Sequence, residues 1–176
     1  MKQTNKIVPA AQRAYVALMM DVIGRGLTAA SQVDPEIHAE TKGFPTGFVV
    51  RMAVFPKGAS FTAQSQADGS LKLLKGFEGK PDLTVTFKHM THAFLVFSFQ
   101  EGTARAFAND RMISDGDISH AIRLVRCLNK MEALILPKIV AQMAVKQYPQ
   151  ELTLAQKVNL ASRIYLKVAQ TYIKRS

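Results

Sequence analysis

A chain of 176 residues of which 48% are hydrophobic can bury one core of ordinary size, so we expect a single main domain. Its 23 lysines and arginines against 13 acidic residues give a net charge of +10, which indicates an anionic partner such as a membrane surface or nucleic acid. The single cysteine, Cys127, excludes an intrachain disulfide, and its apolar neighbours favour a buried, inert thiol over a nucleophile.

The pattern predicts neither a signal peptide nor a membrane span. Arg13 and Asp21 interrupt the N-terminal run, so no continuous apolar stretch of a signal peptide is left. No other segment approaches the ~20 apolar residues that a membrane span needs. We therefore expect a soluble, cytoplasmic protein.

The N-terminal segment predicts one amphipathic helix followed by a linker. Apolar residues recur at helical spacing after Pro9, at Ala11, Tyr15, Leu18 and Val22. Gly24 and Gly26 predict the end of this helix. Residues 27–46 contain turn signals and are predicted as a linker with at most one short helical turn. Residues 1–44 are thus expected to be a helix and linker that precede the main domain.

The middle of the chain predicts strands. Segments 48–55, 60–66 and 83–87 are rich in β-forming residues, and SLKLLKG follows the hairpin signal Asp68-Gly69. In the last of these segments, Leu83, Val85 and Phe87 share one face. Four consecutive strands joined by short turns predict an antiparallel meander with one apolar face.

After this region the apolar period changes to that of helices. THAFLVFS predicts a short helix capped by Thr91, residues 102–108 a second one, and residues 111–114 a short strand. From Asp117 a long helix is predicted to run to Tyr148, with a kink at Pro137 and an end at Pro149. Its apolar positions are Ile118, Ile122, Val125, Cys127, Leu128 and Met131. A last helix is predicted to start at Leu152-Thr153, with Thr153 and Gln156 as a capping box.

In their order, the segments KPDLTVTF, THAFLVFS and GTARAFANDRMISDGD resemble the sterol carrier protein type 2 family of small lipid-binding domains. The resemblance covers roughly residues 45–135 and rests on Pro81-Asp82, on Phe107, on the strand Arg111-Met112-Ile113 and on Gly116-Asp117. Asp110 and Phe99 stand where the family usually has glycine. No catalytic signature is part of the pattern.

The resemblance implies an α+β fold in which helices cover one face of a five-stranded, mostly antiparallel sheet and enclose an apolar cavity. Residues 45–148 would be the lipid-binding domain, with residues 1–44 and 149–176 as helical extensions. On the residues alone, an ordinary packed core is favoured. The family instead implies a tunnel for a fatty acyl chain, sterol or isoprenoid, and the eight methionines suit such an adaptable interior. The expected lining residues are Val50, Met52, Phe61, Leu83, Val85, Phe94, Phe97, Phe107, Met112 and Ile122.

The motif SDGD places Asp115 and Asp117 on either side of Gly116, with His120 nearby. A strand-to-helix corner explains the motif: Gly116 supplies an unusual backbone conformation and Asp117 caps the helix. A calcium loop would need further alternating ligands and a distal glutamate, and these do not follow. The corner interpretation is favoured over a functional pair of carboxylates.

Other candidate sites are weaker. His89 and His92 lack the glutamate of an HExxH motif and are predicted to be a surface pair. No G-x-S-x-G elbow, P-loop or G-x-G-x-x-G is present, so the sequence predicts no catalytic residue, no metal site and no cofactor.

Three functions remain open. The principal hypothesis is non-enzymatic binding, transfer or presentation of an apolar lipid. The alternatives are an accessory or scaffold protein of a lipid or quinone biosynthetic pathway, and a small enzyme that uses Asp115 or His120 at the cavity mouth. Nucleic-acid binding is not expected, because the basic residues are not interleaved with exposed aromatics in a recognised module.

The C-terminal segment 149–176 is predicted to be a basic amphipathic helix. Its predicted apolar face consists of Leu154, Val158, Ala161, Tyr165, Val168 and Tyr172, and its basic residues are Lys157, Arg163, Lys167, Lys174 and Arg175. The sequence leaves open whether this helix packs on the domain, on a second subunit of a homodimer, or on an anionic membrane surface.

Overall fold

Five strands form one mixed sheet in the computed structural model, which describes residues 10–135 and 154–174. The strand order is β3-β2-β1-β4-β5, in which β1 and β4 pair in parallel and the other neighbours pair antiparallel. The strands are β1 (Val49–Val54), β2 (Ser60–Ser65), β3 (Leu71–Leu73), β4 (Leu83–Phe87) and β5 (Met112–Asp115). The expected five-stranded, mostly antiparallel sheet is therefore confirmed.

The predicted meander is wrong for β4. Strands β1, β2 and β3 form antiparallel hairpins as expected. The connection after β3 crosses over to the other side of β1, where β4 pairs in parallel with β1 and Val50 lies opposite Leu83. The crossing segment is held by Arg51, whose Nη2 donates to the carbonyl oxygen of Phe77 over 2.8 Å. Local turn signals could not reveal this pairing, because it depends on a contact between residues distant in the sequence.

Helices cover the apolar face of the sheet. They are α1 (Ala10–Val33), α2 (Pro35–Thr41), α3 (Met90–Phe97), α4 (Thr103–Ala108), α5 (Ile118–Ile135) and α6 (Leu154–Ile173). Helix α1 packs against β2, β3 and α3, whereas α5 contacts β4, α1 and α2. The predictions made for Pro137, Tyr148, Pro149, Leu152 and Thr153 lie outside the described residues.

Helix α1 does not end at the glycines, contrary to the prediction. It continues through Gly24 and Gly26 to Val33, and Asp34 then caps α2 by accepting a 2.7 Å hydrogen bond from the amide of Ile37. Because glycine has no side chain, the helix can approach the core closely at these positions. A Cβ on Gly24 would lie 2.8 Å from Cγ of Phe61. Burial along this half of α1 outweighs the cost of ~1 kcal/mol for each helical glycine. The predicted linker is therefore largely helical.

We expect the Gly24→Ala substitution to lower the free energy of unfolding by about 1 to 2 kcal/mol. A Cβ there meets the Phe61 ring close to the β2 backbone, and this overpacking exceeds the gain of ~1 kcal/mol in helix propensity. Gly26→Ala is the matched control, because its Cβ would lie 3.0 Å from Sδ of the flexible Met131 side chain. Urea unfolding of both variants measures the difference. Equal stability of the two variants would contradict this account of α1.

Helices α1 and α6 flank the residues predicted as the lipid-binding domain, and both contribute to the same core. Val16, Met20 and Leu27 of α1 are fully buried in one cluster with strand residues, and Ile164 of α6 is 1% exposed in that cluster. The buried face of α6 differs from the predicted one. Val158 and Tyr165 of the predicted face are exposed, whereas Leu160 and Ile164, which were not predicted, face the protein together with the predicted Val168. Both sets have helical spacing, and only the contacts with α1 and α5 decide between them.

Candidate functional site

The inner face of the sheet, which we define as the face that carries Val50 and Met52, holds most of the predicted lining residues. In the strand registers Met52 lies opposite Phe61 and Val85, and Val50 lies opposite Leu83, so these side chains share one face. Seven of the ten predicted residues are buried: Val50, Met52, Phe61, Leu83, Val85, Phe97 and Met112. Phe94 and Phe107 are half-buried and pack against the same core.

Ile122 does not belong to this group, which corrects the sequence prediction. It is 47% exposed, and Ile118, one turn earlier on the same helix face, is 67% exposed. The buried side of α5 carries Ala121, Leu124, Leu128 and Met131 instead. Two apolar rows run along this helix, and the packing against α2 and the sheet selects the other one.

Four methionines lie within this interior, each on a different element. Met20 of α1, Met52 of β1, Met112 of β5 and Met131 of α5 are at most 3% exposed. Unbranched thioether side chains change rotamer easily, so an interior of this kind can adapt its shape to an apolar ligand. The sequence prediction missed Met20 and Met131. Apolar residues on several sides of α1 were the available signal that α1 forms a wall of the core.

Aromatic contacts join α1 and α3 to the sheet. The rings of Phe87 and Phe97 meet edge to face at 5.2 Å, as do those of Tyr15 and Phe94 at 5.6 Å. The Tyr15 hydroxyl also donates to the carbonyl oxygen of Phe97 over 2.8 Å. Helix α3 is thereby fixed between the inner face of the sheet and the first half of α1.

The SDGD motif is the corner that the sequence predicts. Asp117 Oδ1 accepts a 2.7 Å hydrogen bond from the amide of Ser119, and its carbonyl accepts from Ala121. Hydrogen bonds from the hydroxyl and amide of Ser119 hold the pKa of Asp117 below its usual value. Gly116 has a φ of +129°, a conformation that L side chains rarely adopt. These contacts explain the motif without a functional role.

Asp115 and His120 lie in different surroundings. Asp115 is exposed and lies opposite Thr84, on the face of the sheet that points away from Val50 and Met52. The ring of His120 instead packs 4.7 Å from the ring of Phe48 and 5.5 Å from that of Phe44. Among the described residues, no group of histidine, cysteine or acidic side chains could hold a metal ion.

His89, which immediately precedes α3, has a structural explanation. The helix begins at Met90, and its cap is His89 rather than the predicted Thr91, since the Nδ1 atom of His89 accepts from the amide of Thr91 over 3.3 Å. His89 is exposed and His92 is half-buried. Burial lowers the pKa of His92.

A groove of about 460 Å³ lies between α2 and α5. Its charged side chains are paired: Glu40 binds Arg123 at 3.1 Å and Arg126 at 3.4 Å, and Glu36 binds Lys130 at 2.9 Å. Cys127 lies in its wall and is buried, as the sequence predicts, and burial raises the pKa of this thiol to about 12. A groove lined by paired charges is a poor site for an apolar chain.

One acidic group lies in the buried part of α5. Glu132 is half-buried and follows Met131, with Ala133 and Leu134 after it, all three fully buried. Burial raises the pKa of Glu132 to about 8 from its ordinary value of 4.5. The sequence prediction did not single out this residue.

No helix in the part of the chain that the structure describes is long and apolar enough to cross a membrane.

The fold and its interior define an α+β domain in which helices enclose the apolar face of a mostly antiparallel sheet. Helix α1 supplies one wall of this interior and α5 another.

No family model and no curated protein matches this sequence, but several solved structures are similar to the chain. The chain is similar to a ubiquinone synthesis protein described as UbiJ-SCP2, at 15% identity and a TM-score of 0.43, over 68% of this chain and 94% of that one. It is similar to apo sterol carrier protein 2 from Yarrowia lipolytica, at 18% identity and a TM-score of 0.43, over 65% and 89% of the two chains.

A third similar structure is that of palmitated SCP2L2 from Aedes aegypti. Its identity is 15% and its TM-score 0.34, over 57% of this chain and 91% of that one. The Yarrowia lipolytica and Aedes aegypti structures are thus described as sterol carrier protein 2 and as SCP2L2.

Proposed function

We propose that this protein binds an apolar lipid, such as a fatty acyl chain, sterol or isoprenoid, between the inner face of the sheet and helices α1, α3 and α5. The observation that carries the proposal is the set of four buried methionines distributed around this interior. Their side chains can move aside for a ligand at little cost in strain. Affinity would then come from burial of the lipid chain, at about 0.8 kcal/mol per CH₂ group.

The half-buried aromatic residues suggest where a ligand would enter. Phe94 of α3 and Phe107 of α4 pack against the core and still reach solvent, so they lie at the border of the interior. No side chain is needed for chemistry in this function, and the polar SDGD corner faces elsewhere. Transfer or presentation of the lipid to partner proteins would follow from the same reversible binding.

Delipidated protein should take up a fluorescent long-chain fatty acid in a saturable manner, and Phe107→Glu should weaken this uptake at least about tenfold. A carboxylate at the border of an apolar interior must be desolvated when a lipid chain enters, which costs more than the ~1.4 kcal/mol that a factor of ten represents. Phe55→Glu is the matched control, because Phe55 is 63% exposed and lies after β1. Circular dichroism of both variants would establish that they remain folded.

Native mass spectrometry of gently purified protein provides an independent measurement. We expect a retained lipid whose mass indicates the ligand class. The proposal is wrong if acyl, sterol and isoprenoid probes all fail to bind in a saturable manner and no lipid is retained.

A further inference from the structure

The outward side of α6, which we call the α6 outer face, exposes a continuous row of apolar side chains. Its large members are Val158 (60% exposed), Tyr165 (55%), Leu166 (63%) and Ile173 (72%). The small residues Ala155, Ser162 and Ala169 lie in the same row and are also exposed. A helix of 20 residues is about 30 Å long, so these side chains form an extended apolar patch. Single exposed apolar residues are common on protein surfaces, whereas a patch of this length indicates an interaction surface.

Contacts on the opposite side hold α6 in place. The Tyr172 hydroxyl donates to Asp21 over 2.6 Å, Arg25 Nη1 donates to the Thr171 hydroxyl over 2.9 Å, and the Arg25 guanidinium lies 4.2 Å from the Tyr172 ring. Tyr165, whose ring is exposed on the α6 outer face, also donates through its hydroxyl to the carbonyl oxygen of Ile135 over 2.8 Å. Because one side of α6 is occupied by α1 and α5, the domain cannot bury the α6 outer face by rotating the helix.

The charge of α6 has one sign. Residues 154–174 contain Lys157, Arg163, Lys167 and Lys174, and no acidic residue. Arg163 and Lys174 are exposed and lie about three helical turns apart, hence along the same edge of the α6 outer face. Cations beside an exposed apolar row are the pattern of helices that lie in a membrane interface.

We infer that the α6 outer face docks on an anionic lipid surface. The apolar side chains would enter the boundary between headgroups and acyl chains, while Arg163 and Lys174 would contact the headgroups. Charge complementarity selects this occupant over a second copy of the chain. Two copies that meet through α6 would bring together helices of like charge, whereas an anionic membrane supplies the opposite charge. The inference concerns a surface separate from the proposed lipid-binding interior and does not depend on it.

Flotation with lipid vesicles tests the surface directly. Full-length protein should bind vesicles of phosphatidylcholine with phosphatidylglycerol, bind pure phosphatidylcholine vesicles more weakly, and lose affinity as salt rises, because the Debye length is about 8 Å at physiological ionic strength. Leu166→Glu should reduce the partition coefficient on the order of tenfold. Ile118→Glu is the matched control: Ile118 is 67% exposed on α5, and the change in charge is the same. It should bind like the unaltered protein.

Arg163→Gln separates the electrostatic part of the binding from the apolar part. It should weaken binding to anionic vesicles several-fold at low salt, consistent with ~1 kcal/mol per basic residue, and leave binding to neutral vesicles unchanged. Equal partition of Leu166→Glu and the unaltered protein would overturn the inference, as would the absence of vesicle binding. A dimer that Leu166→Glu dissociates, without any vesicle binding, would assign this face to a second copy instead. Lipid retained in the interior is measured separately, so failure of one proposal does not decide the other.

Discussion

Replacing Gly116 by alanine should lower the free energy of unfolding by about 3 kcal/mol or more. Two costs act at this residue. Its φ of +129° is strained for any L side chain, at ~1–3 kcal/mol, and a Cβ would lie 2.5 Å from the carbonyl oxygen of Asp82. That oxygen belongs to the backbone and cannot rotate away as a side chain could. Chemical denaturation with urea would measure the loss.

The position of Asp82 explains why the damage would spread. Its amide donates to the carbonyl oxygen of Val49 over 2.9 Å, and its carboxylate accepts from the amide of Val49 over 2.7 Å. These bonds lie at the start of the parallel pairing of β1 with β4, and the corner before α5 packs against them. Displacement of Asp82 therefore disturbs the connection between both halves of the sheet.

Gly76→Ala is the matched control for this substitution. Gly76 also has a positive φ, +61°, but no atom lies within 4 Å of the position of its Cβ. Alanine there meets only the backbone cost, about 1 kcal/mol. A loss at Gly116 no larger than the loss at Gly76 would mean that the contact with Asp82 does not constrain the corner.

Features that depend on neighbouring residues were predictable from the sequence. The hairpin at Asp68-Gly69, helix α4, strand β5 and the cap at Asp117 each follow from local turn, capping or periodicity signals, and all are present. The family pattern also has a physical basis in the backbone. Phe99 and Asp110, which replace its usual glycines, have φ values of +59° and +56°. Phe99 and Asp110 therefore occupy two left-handed positions, which glycine adopts without strain.

Features that depend on distant contacts were not predictable in this way. The parallel pairing of β1 with β4 requires knowledge of which strands meet across the sheet. The continuation of α1 through Gly24 depends on its contact with Phe61, and the exposure of Ile122 depends on which side of α5 meets α2. For the interior, periodicity identified the apolar strand residues, because alternation alone assigns them to one face. Met20 and Met131 could be assigned to this interior only from the way in which α1 and α5 pack.

Glu132→Gln should stabilise the protein at pH 8 and have little effect at pH 4. The pKa of Glu132 is about 8 in the folded protein, against an ordinary value of 4.5. Below pH 4.5 the carboxyl is protonated in the folded and the unfolded state, so it adds no dependence on pH. Between these two values the unfolded state releases the proton more readily than the folded state, so stability falls as pH rises.

The size of the effect follows from the same linkage. Each pH unit between the two pKa values costs about 1.4 kcal/mol, and water reaches a half-buried side chain, so we expect a gain of about 2 to 3 kcal/mol for Glu132→Gln at pH 8. Glutamine keeps the shape and cannot ionise, and urea unfolding at both pH values measures the difference. Glu78→Gln, at an exposed position, controls for the loss of one negative charge. If Glu132→Gln has the same effect at pH 4 as at pH 8, the pKa of this carboxyl in the folded protein lies near its ordinary value, and water reaches Glu132 more freely than its burial indicates.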